Sequence, residues 1–234
     1  MNAALPTPDD DVLRTTRGWM ERALLVAGPR TEVMVIRHGM QRHSLAEESR
    51  PGGPRLSELG VRQARAVAEY LAGLEITALY CSTITRAHDT ARAIADRHPA
   101  GLVPDVWPDL REIDIYGESE NRIPPADIQA AAAEEFHRTR RWDAFPHTES
   151  SASFRRRILD AVTAIADKHP GERVAVVGHG GAISSLLSAV LGIEDDMWVY
   201  SAHTGITRLL RGEDRWAVGA VNETPHLDDE LRSF

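Results

Sequence analysis

Short runs of apolar residues alternate along the chain with longer segments whose apolar residues recur every three or four positions. Residues 32–36 and the segment "RVAVVGHGG" each contain a continuous apolar run rich in valine, and "ITALYCS" contains a shorter one. Continuous runs of this length are typical of strands that are covered on both faces. The pattern therefore predicts a parallel sheet with helices on both sides.

The intervening segments have the spacing of amphipathic helices. In "LSELGVRQARAVAEYLAGL", Ser57 is the predicted N-cap, and the apolar residues at helical spacing are Val61, Ala64, Val67, Ala68 and Leu71. Further helices are predicted near "TRAHDTARAIADRH", over residues 126–142, in "SASFRRRILDAVTAIADKH" and in "AISSLLSAVLG". The segments "TGITRLLRG" and "RWAVGAVN" predict a closing hairpin, whereas "LREIDIYGESENRIPP" is predicted to be irregular.

The first thirty residues are predicted to be an extension of the main domain. A helix is expected to begin near residue 10 and to stop at Gly28 and Pro29. Its apolar face would comprise Leu13, Met20, Leu24 and Leu25. If the protein forms a homodimer, this segment is where we look for contacts between subunits.

Composition narrows the class of protein. The 234 residues are 42% hydrophobic and 26% charged, as in a soluble globular protein of one domain. The net charge of -8 argues against nucleic acids and anionic membranes as partners. The single cysteine permits no internal disulfide, the N-terminus lacks a basic signal-peptide flank, and no window approaches the roughly 18 apolar residues of a membrane span. We therefore expect a cytoplasmic protein.

Cationic and imidazole side chains follow three of the predicted strands. Arg37 and His38 come directly after the first strand, Arg86 follows the second, and His179 and Gly180 end "RVAVVGHGG". The carboxyl ends of parallel strands meet at one edge of a sheet, where ligands bind. A neutral imidazole can attack phosphorus in line, and guanidinium groups bind phosphoryl oxygens. The sequence therefore predicts a phosphoryl-transfer site at this edge, for a small phosphorylated substrate.

These motifs, in this order, resemble the histidine phosphatase superfamily, in the branch that includes the cofactor-dependent phosphoglycerate mutases. The resemblance rests on "VIRHG", "LSELGVRQA", "LYCSTITRAHDTA", "LREID" and "VAVVGHGG", within about residues 32–222. It implies an α/β fold, a three-layer α/β/α sandwich with a mostly parallel sheet. Residues 31–234 would form this domain, with a helical cap inserted around residues 113–150 and residues 1–30 as the N-terminal extension.

The resemblance also implies roles for individual residues. His38 would be the phosphorylated nucleophile, and Glu112, in "LREID", would be the proton donor. Arg37 and Arg86 would bind the phosphate, and His179 would be the second catalytic histidine. His179 and Gly180 would be further phosphate ligands. A proton donor is needed because the departing alkoxide must be protonated.

The sequence departs from the family pattern at three places. Family members often have asparagine six residues after the nucleophile, where this chain has Ser44, so Gln41, Arg42, His43 and Ser44 are further candidates for substrate binding. The segment "IDIYGESE" has one residue more than the usual "IDFGEWE", which leaves a solvated loop carboxylate as an alternative for Glu112. The stretch that follows lacks the longer insertion of the true mutases, which favours a phosphatase.

Two other chemistries fit the residues less well. Four positions separate Cys81 from Arg86, whereas cysteine-dependent phosphatases have five, so Cys81 is interpreted as a small residue at a strand end. No Asp or Cys cluster accompanies the histidines, and two arginines would repel a divalent cation. We therefore expect neither a metal nor another cofactor.

The basic run "FHRTRRW", residues 136–142, has two interpretations. Arg140 and Arg141 either bind a second anionic group of the substrate or belong to a solvated helix face. Trp142 and Phe145 would pack as hydrophobic lid residues.

Taken together, the residues and the resemblance predict a metal-independent phosphomonoesterase of the histidine acid phosphatase type. It would hydrolyse a small phosphorylated metabolite through a phosphohistidine. Two alternatives stay open: a cofactor-dependent phosphoglycerate-type mutase, and a non-catalytic protein of the same fold that binds phosphorylated ligands.

Overall fold

A computed structural model describes residues 30–44, 51–115, 124–212 and 215–234. Its strands are β1 (Thr31–Arg37), β2 (Ala78–Ser82), β3 (Pro104–Trp107), β4 (Arg173–Gly178), β5 (Ile206–Arg211) and β6 (Trp216–Glu223). They form one sheet in the order β3-β2-β4-β1-β5-β6. The strands β1 to β4 are parallel, whereas β5 is antiparallel to both of its neighbours, β1 and β6.

Helices cover both faces of this sheet. The α-helices are α1 (Glu58–Leu71), α2 (Thr85–Arg97), α3 (Ala126–Thr139), α4 (Ser151–Asp167) and α5 (Gly180–Leu191). Short 3-10 helices span Pro108–Leu110 and Trp142–Ala144. One core cluster contains residues of α1 and α2 and the other contains residues of α4 and α5. The predicted α/β class with a mostly parallel sheet is confirmed.

The strand β1 shows how the sheet divides the core in two. Val33 and Val35 belong to the cluster under α4 and α5, whereas Met34 and Ile36 belong to the cluster under α1 and α2. Successive side chains of a strand point to opposite faces, so a strand covered on both faces needs an unbroken apolar run. All four side chains are buried, as the sequence pattern predicts.

The remaining predicted elements agree with the structure, with two exceptions. The strand β3 is not predicted because it is half exposed and short, with Val106 at 41% exposure. The helix expected over residues 126–142 ends at Thr139, because Arg140 adopts a left-handed conformation with φ of 54°. The predicted N-terminal helix lies outside the described residues. None of the helices that the structure describes is long and apolar enough to cross a membrane.

The start of α1 is as predicted, but its buried face is shifted. The Ser57 hydroxyl accepts a hydrogen bond from the Gly60 amide and thus caps the helix. Val61, predicted on the apolar face, is 38% exposed, whereas Gln63 is fully buried. The reason is that the Gln63 amide hydrogen-bonds the Met40 backbone and the distant Leu231 carbonyl, which no apolar side chain could do.

Two glycines bring the loop after β1 into close contact with α1. A Cβ on Gly39 would lie 2.5 Å from the Gly60 carbonyl oxygen, and a Cβ on Gly60 would lie 2.0 Å from the Met40 carbonyl oxygen. Any side chain at either position would force the two backbones apart. This contact fixes the path of the chain just after the first strand, where the candidate site begins.

Candidate active site

The predicted imidazole and guanidinium groups meet at the carboxyl ends of β1, β2 and β4. His38 follows β1, Arg86 lies in the first turn of α2, and His179 precedes α5. The ring centroids of His38 and His179 are 5.2 Å apart. Arg86 Nε donates a hydrogen bond of 2.9 Å to His38 Nε2. Three segments that are distant in sequence thus form one cluster, as the parallel topology predicts.

The two ring nitrogens of His38 have different hydrogen-bond partners. Nδ1 lies 2.7 Å from the Gly39 carbonyl oxygen, which can only accept, so Nδ1 carries the proton. Nε2 accepts from Arg86 and therefore carries a lone pair and no proton. The nitrogen that can act as a nucleophile is Nε2.

His38 is also held in its neutral form. Its ring is buried, and this burial lowers its pKa well below the usual value of 6.5, with Arg86 and His179 lowering the pKa further. The Nε2 lone pair is consequently free of a proton at neutral pH.

His179 is fully buried beside His38. Its Nε2 lies 2.9 Å from the Ser82 hydroxyl at the end of β2. Burial lowers the pKa of His179 well below its usual value, and the charges of Arg86 and Arg37 lower it further. This ring is a neutral polar group at neutral pH. Ser82 is not predicted as a site residue, because a serine at a strand end carries no specific sequence signal.

Arg37 is held by the segment that precedes β5. Its guanidinium donates through Nη1 to the Ser201 carbonyl oxygen, and its Cζ lies 5.9 Å from the centre of the Tyr200 ring. The Nε atom is buried without a hydrogen-bond partner among the described residues. A Cβ on Gly180 would lie 3.4 Å from this atom, so the start of α5 contacts the guanidinium closely.

The Glu112 carboxyl lines the same cavity. Its Oε2 accepts a 2.9 Å hydrogen bond from the Gly181 amide, and its Oε1 accepts a 3.1 Å bond from the Ile113 amide. Burial raises the pKa of Glu112, outweighing the opposing effects of these amides and of Arg86 and Arg37. The alternative of a solvated loop carboxylate is therefore not what the structure shows.

His38, Glu112 and the two arginines line a cavity of about 220 Å³, whereas His179 is fully buried and does not line it. The predicted residues that line it are Arg37, His38, Gln41, Arg86, Glu112 and Gly180. The additional lining residues are Ile113, Ile115, Trp142, Gly181, Met197, Val199, Tyr200 and Ser201. Of these, only Trp142 is singled out by the sequence, as a residue of a hydrophobic lid.

The other predicted substrate-binding residues do not line this cavity. Arg42 lines a neighbouring groove between α1 and α2, and Ser44 is exposed. Arg140 Nη1 lies 3.9 Å from Asp195, and Arg141 donates to Asp143 at 2.8 Å. The structure thus favours the interpretation in which the basic run belongs to a solvated face.

Replacing both Arg140 and Arg141 with alanine should change KM by no more than about twofold. The exposed ion pairs that are lost contribute little to the free energy of folding, so the site should keep its structure. We expect this result for an aryl phosphate and for a substrate with a second anionic group, because both arginines lie outside the cavity wall. Steady-state kinetics with phenyl phosphate and 3-phosphoglycerate would test this. A rise in KM confined to the second substrate would show that the run contacts it.

The structure also places a third histidine at the site. The His203 ring centroid lies 5.8 Å from that of His38, and its Nδ1 lies 2.9 Å from the Ser233 hydroxyl. Burial lowers the pKa of His203 to about 3. Gln63 donates to the same hydroxyl at 2.8 Å and accepts from the Met40 amide. These residues come from distant segments, so no local motif predicts their meeting.

Cys81 is unsuited to nucleophilic catalysis. It is fully buried in β2, and burial raises its pKa to about 11, which keeps the thiol protonated at neutral pH. Among the described residues, no group of three or more His, Cys, Asp or Glu side chains is arranged to hold a metal ion.

A family model described as "Histidine phosphatase superfamily (branch 1)" matches residues 33–224. A probable phosphoglycerate mutase, GpmB from Yersinia pestis (strain Pestoides F), is 28% identical over 218 residues, which cover 86% of this chain and 99% of that protein.

Solved structures share the fold. YhfR from Bacillus stearothermophilus superposes with a TM-score of 0.70 at 25% identity, over 84% of this chain and 98% of that one. A mycobacterial glucosyl-3-phosphoglycerate phosphatase superposes with a TM-score of 0.64 at 24% identity, over 83% of this chain and 100% of that one.

Proposed function

The chain belongs to the histidine phosphatase superfamily, and from this membership and the geometry of the site we propose that it is a phosphomonoesterase. It hydrolyses a small phosphorylated metabolite through a phosphohistidine on His38, without a metal ion. The observation that carries the proposal is the unprotonated Nε2 of a neutral His38 beside Arg86, at the cavity that Glu112 also lines.

In the first step, the Nε2 lone pair of His38 forms a bond to phosphorus. The ester P–O bond breaks, and its electron pair leaves with the alcohol oxygen, which takes the proton of Glu112. As the substrate enters, a phosphoryl oxygen takes the hydrogen bond that Arg86 donates to Nε2, so the lone pair becomes available. Arg37 and Arg86 neutralise the charge on the equatorial oxygens.

In the second step, water attacks the phosphohistidine. The Glu112 carboxylate accepts a proton from the water, the P–N bond breaks, and its electron pair returns to His38 Nε2. Inorganic phosphate leaves, and the neutral histidine and the protonated carboxyl are restored. His179 stays neutral throughout and contributes a polar group beside the transferred phosphoryl, without repelling the two guanidinium ions.

Trapping the covalent intermediate tests this proposal. The protein would be mixed with an excess of phenyl phosphate that carries a label in its phosphoryl group, in the presence of a chelator. The reaction would then be quenched in alkali, and the protein would be digested for peptide mapping. We expect acid-labile label on the peptide that contains His38. His43→Gln is a matched control, because His43 is exposed and five positions away, and it should label normally. Label on another peptide, or turnover without any label, would refute the mechanism.

A mutase is the second candidate, because the Yersinia pestis relative is named a probable phosphoglycerate mutase. The two activities differ in the acceptor of the phosphoryl group. A phosphatase releases inorganic phosphate from 3-phosphoglycerate or other monoesters without a primer. A mutase transfers label to a second phosphoglycerate and depends on a bisphosphorylated primer. We expect release of phosphate at a rate that the primer does not raise.

A further inference from the structure

Beyond the groups that face the phosphoryl, the cavity wall is apolar. Its hydrophobic members are Ile113, Ile115, Trp142, Met197, Val199 and Tyr200. Among the described residues that line the cavity, the arginines are Arg37 and Arg86, and the proposed mechanism uses both to bind the phosphoryl group. The wall beside the leaving group therefore offers mainly hydrophobic surface, with Gln41 and Ser201 as its uncharged polar side chains.

This wall is held in place by buried polar contacts. The Trp142 indole donates to the Ser185 hydroxyl at 3.1 Å, and its backbone amide donates to Asp196 at 2.9 Å. Asp196 is fully buried and also accepts from Arg155 at 2.5 Å. Phe136 stacks on the Trp142 ring with 5.0 Å between centroids. Moving the indole to admit a charged group would break these contacts.

The two arginines that precede Trp142 are paired with carboxylates, and the undescribed segments are not basic in sequence. Arg140 and Arg141 are paired with Asp195 and Asp143. By sequence, the segments 45–50 and 116–123 contain more acidic than basic residues: Glu47, Glu48, Glu118 and Glu120 against Arg50 and Arg122. Among the described residues that line the cavity, no cation other than Arg37 and Arg86 is placed to pair with a carboxylate of the leaving group.

We propose that the substrate is the phosphate monoester of an uncharged, largely apolar alcohol, with an aryl or arylalkyl body that contacts Trp142 and Tyr200. This inference rests on the proposed phosphatase function. An apolar body gains free energy by leaving water at this wall. A carboxylate, as in phosphoglycerate or phosphoserine, would lose its hydration there without gaining a partner.

The substrate class is tested with monoesters of alcohols, so that leaving-group acidity is similar. We expect kcat/KM for 2-phenylethyl phosphate to exceed that for 3-phosphoglycerate and for phosphoserine by about tenfold or more, mainly through a lower KM. A kcat/KM for either carboxylate substrate that equals or exceeds that for 2-phenylethyl phosphate would overturn the inference.

A charge placed in the wall provides a second test. Val199→Lys should lower the ratio of kcat/KM for 2-phenylethyl phosphate to kcat/KM for 3-phosphoglycerate by about tenfold, because the substitution adds a cation and removes apolar surface. Val103→Lys is the matched control, because Val103 is 81% exposed and does not line the cavity, and it should keep the wild-type preference.

If Val199→Lys does not fold, Tyr200→Ser serves instead, because Tyr200 is 64% exposed. It should lower kcat/KM for the aryl substrate by a larger factor than kcat/KM for 3-phosphoglycerate, since any effect through the contact between Tyr200 and Arg37 is shared by both substrates. An unchanged preference in the folded variant would contradict the role of the wall.

Failure of this inference and failure of the phosphatase mechanism give different results. If only the substrate class is wrong, label still appears on the His38 peptide and phosphate is still released, but the carboxylate substrates react faster. If the mechanism is wrong, no monoester labels that peptide.

Discussion

Replacing His38 with glutamine should lower kcat for phenyl phosphate by at least about 10³-fold and abolish the labelled intermediate. Glutamine is neutral and hydrogen-bonds both as donor and as acceptor, so it can replace the contacts to Gly39 and Arg86. It has no nitrogen lone pair that can attack phosphorus. Because Arg37 and Arg86 remain, the inhibition constant of inorganic phosphate should change much less than kcat. Both constants can be measured by steady-state kinetics.

His203→Gln is the matched control for this substitution. His203 is also a buried neutral histidine, and its ring lies beside that of His38, but its Nδ1 contacts the Ser233 hydroxyl. We expect a loss of about tenfold, because the ring supports His38 without reacting. The opposite result would contradict His38 as the nucleophile. In that case His203→Gln would have no activity, and His38→Gln would keep a tenth or more of the wild-type kcat.

The sheet follows from the sequence because its central strands are covered on both faces. The central residues of β1 and β4 form continuous apolar runs, and such runs are visible without knowledge of the partner strands. The edge strand β3 is partly exposed, so its short sequence lacks that signal. Gln63 shows the converse limit: a buried polar residue is recognised only when its partners, Met40 and Leu231, are known.

The site is predictable to the extent that it is built at strand ends. His38, Arg86 and His179 follow parallel strands or begin the helices after them, so topology alone brings them to one edge. The wall that faces the leaving group comes from other segments, such as Met197 and Tyr200 before the closing hairpin. Their positions depend on tertiary packing, which a single sequence does not encode in any local motif.

The basic run shows why charge alone is a weak guide to a binding site. A sequence gives the sign of the charge on a side chain but not the direction in which that side chain points in the fold. The left-handed turn at Arg140 ends α3, and the two arginines then meet carboxylates on the surface. The acidic partners Asp143 and Asp195 are equally visible in the sequence, yet only the fold shows that they form ion pairs with these arginines.

The protonation states of His38 and Glu112 imply a bell-shaped dependence of activity on pH for substrates with poor leaving groups. The reactive form has a neutral His38, whose pKa is lowered, so activity should persist well below pH 6.5. The reactive form also has a protonated Glu112. Because the pKa of Glu112 is raised, its carboxyl stays protonated to a higher pH than that of an ordinary glutamic acid. As pH rises through the Glu112 pKa, the donor is lost, and kcat/KM should fall.

Glu112→Gln should therefore lower kcat for 2-phenylethyl phosphate by about 10² to 10³-fold and remove the fall at higher pH. An alkoxide cannot leave readily without a proton, whereas p-nitrophenolate can. In rapid-quench experiments with p-nitrophenyl phosphate, the variant should still release its first p-nitrophenol quickly and then accumulate phosphohistidine, because the base for the attacking water is missing. Glu135→Gln is the control, since Glu135 is bound to Arg138 on the surface and should behave as wild type. An equal loss in the first turnover of both substrates would show that Glu112 supports the site without transferring the proton.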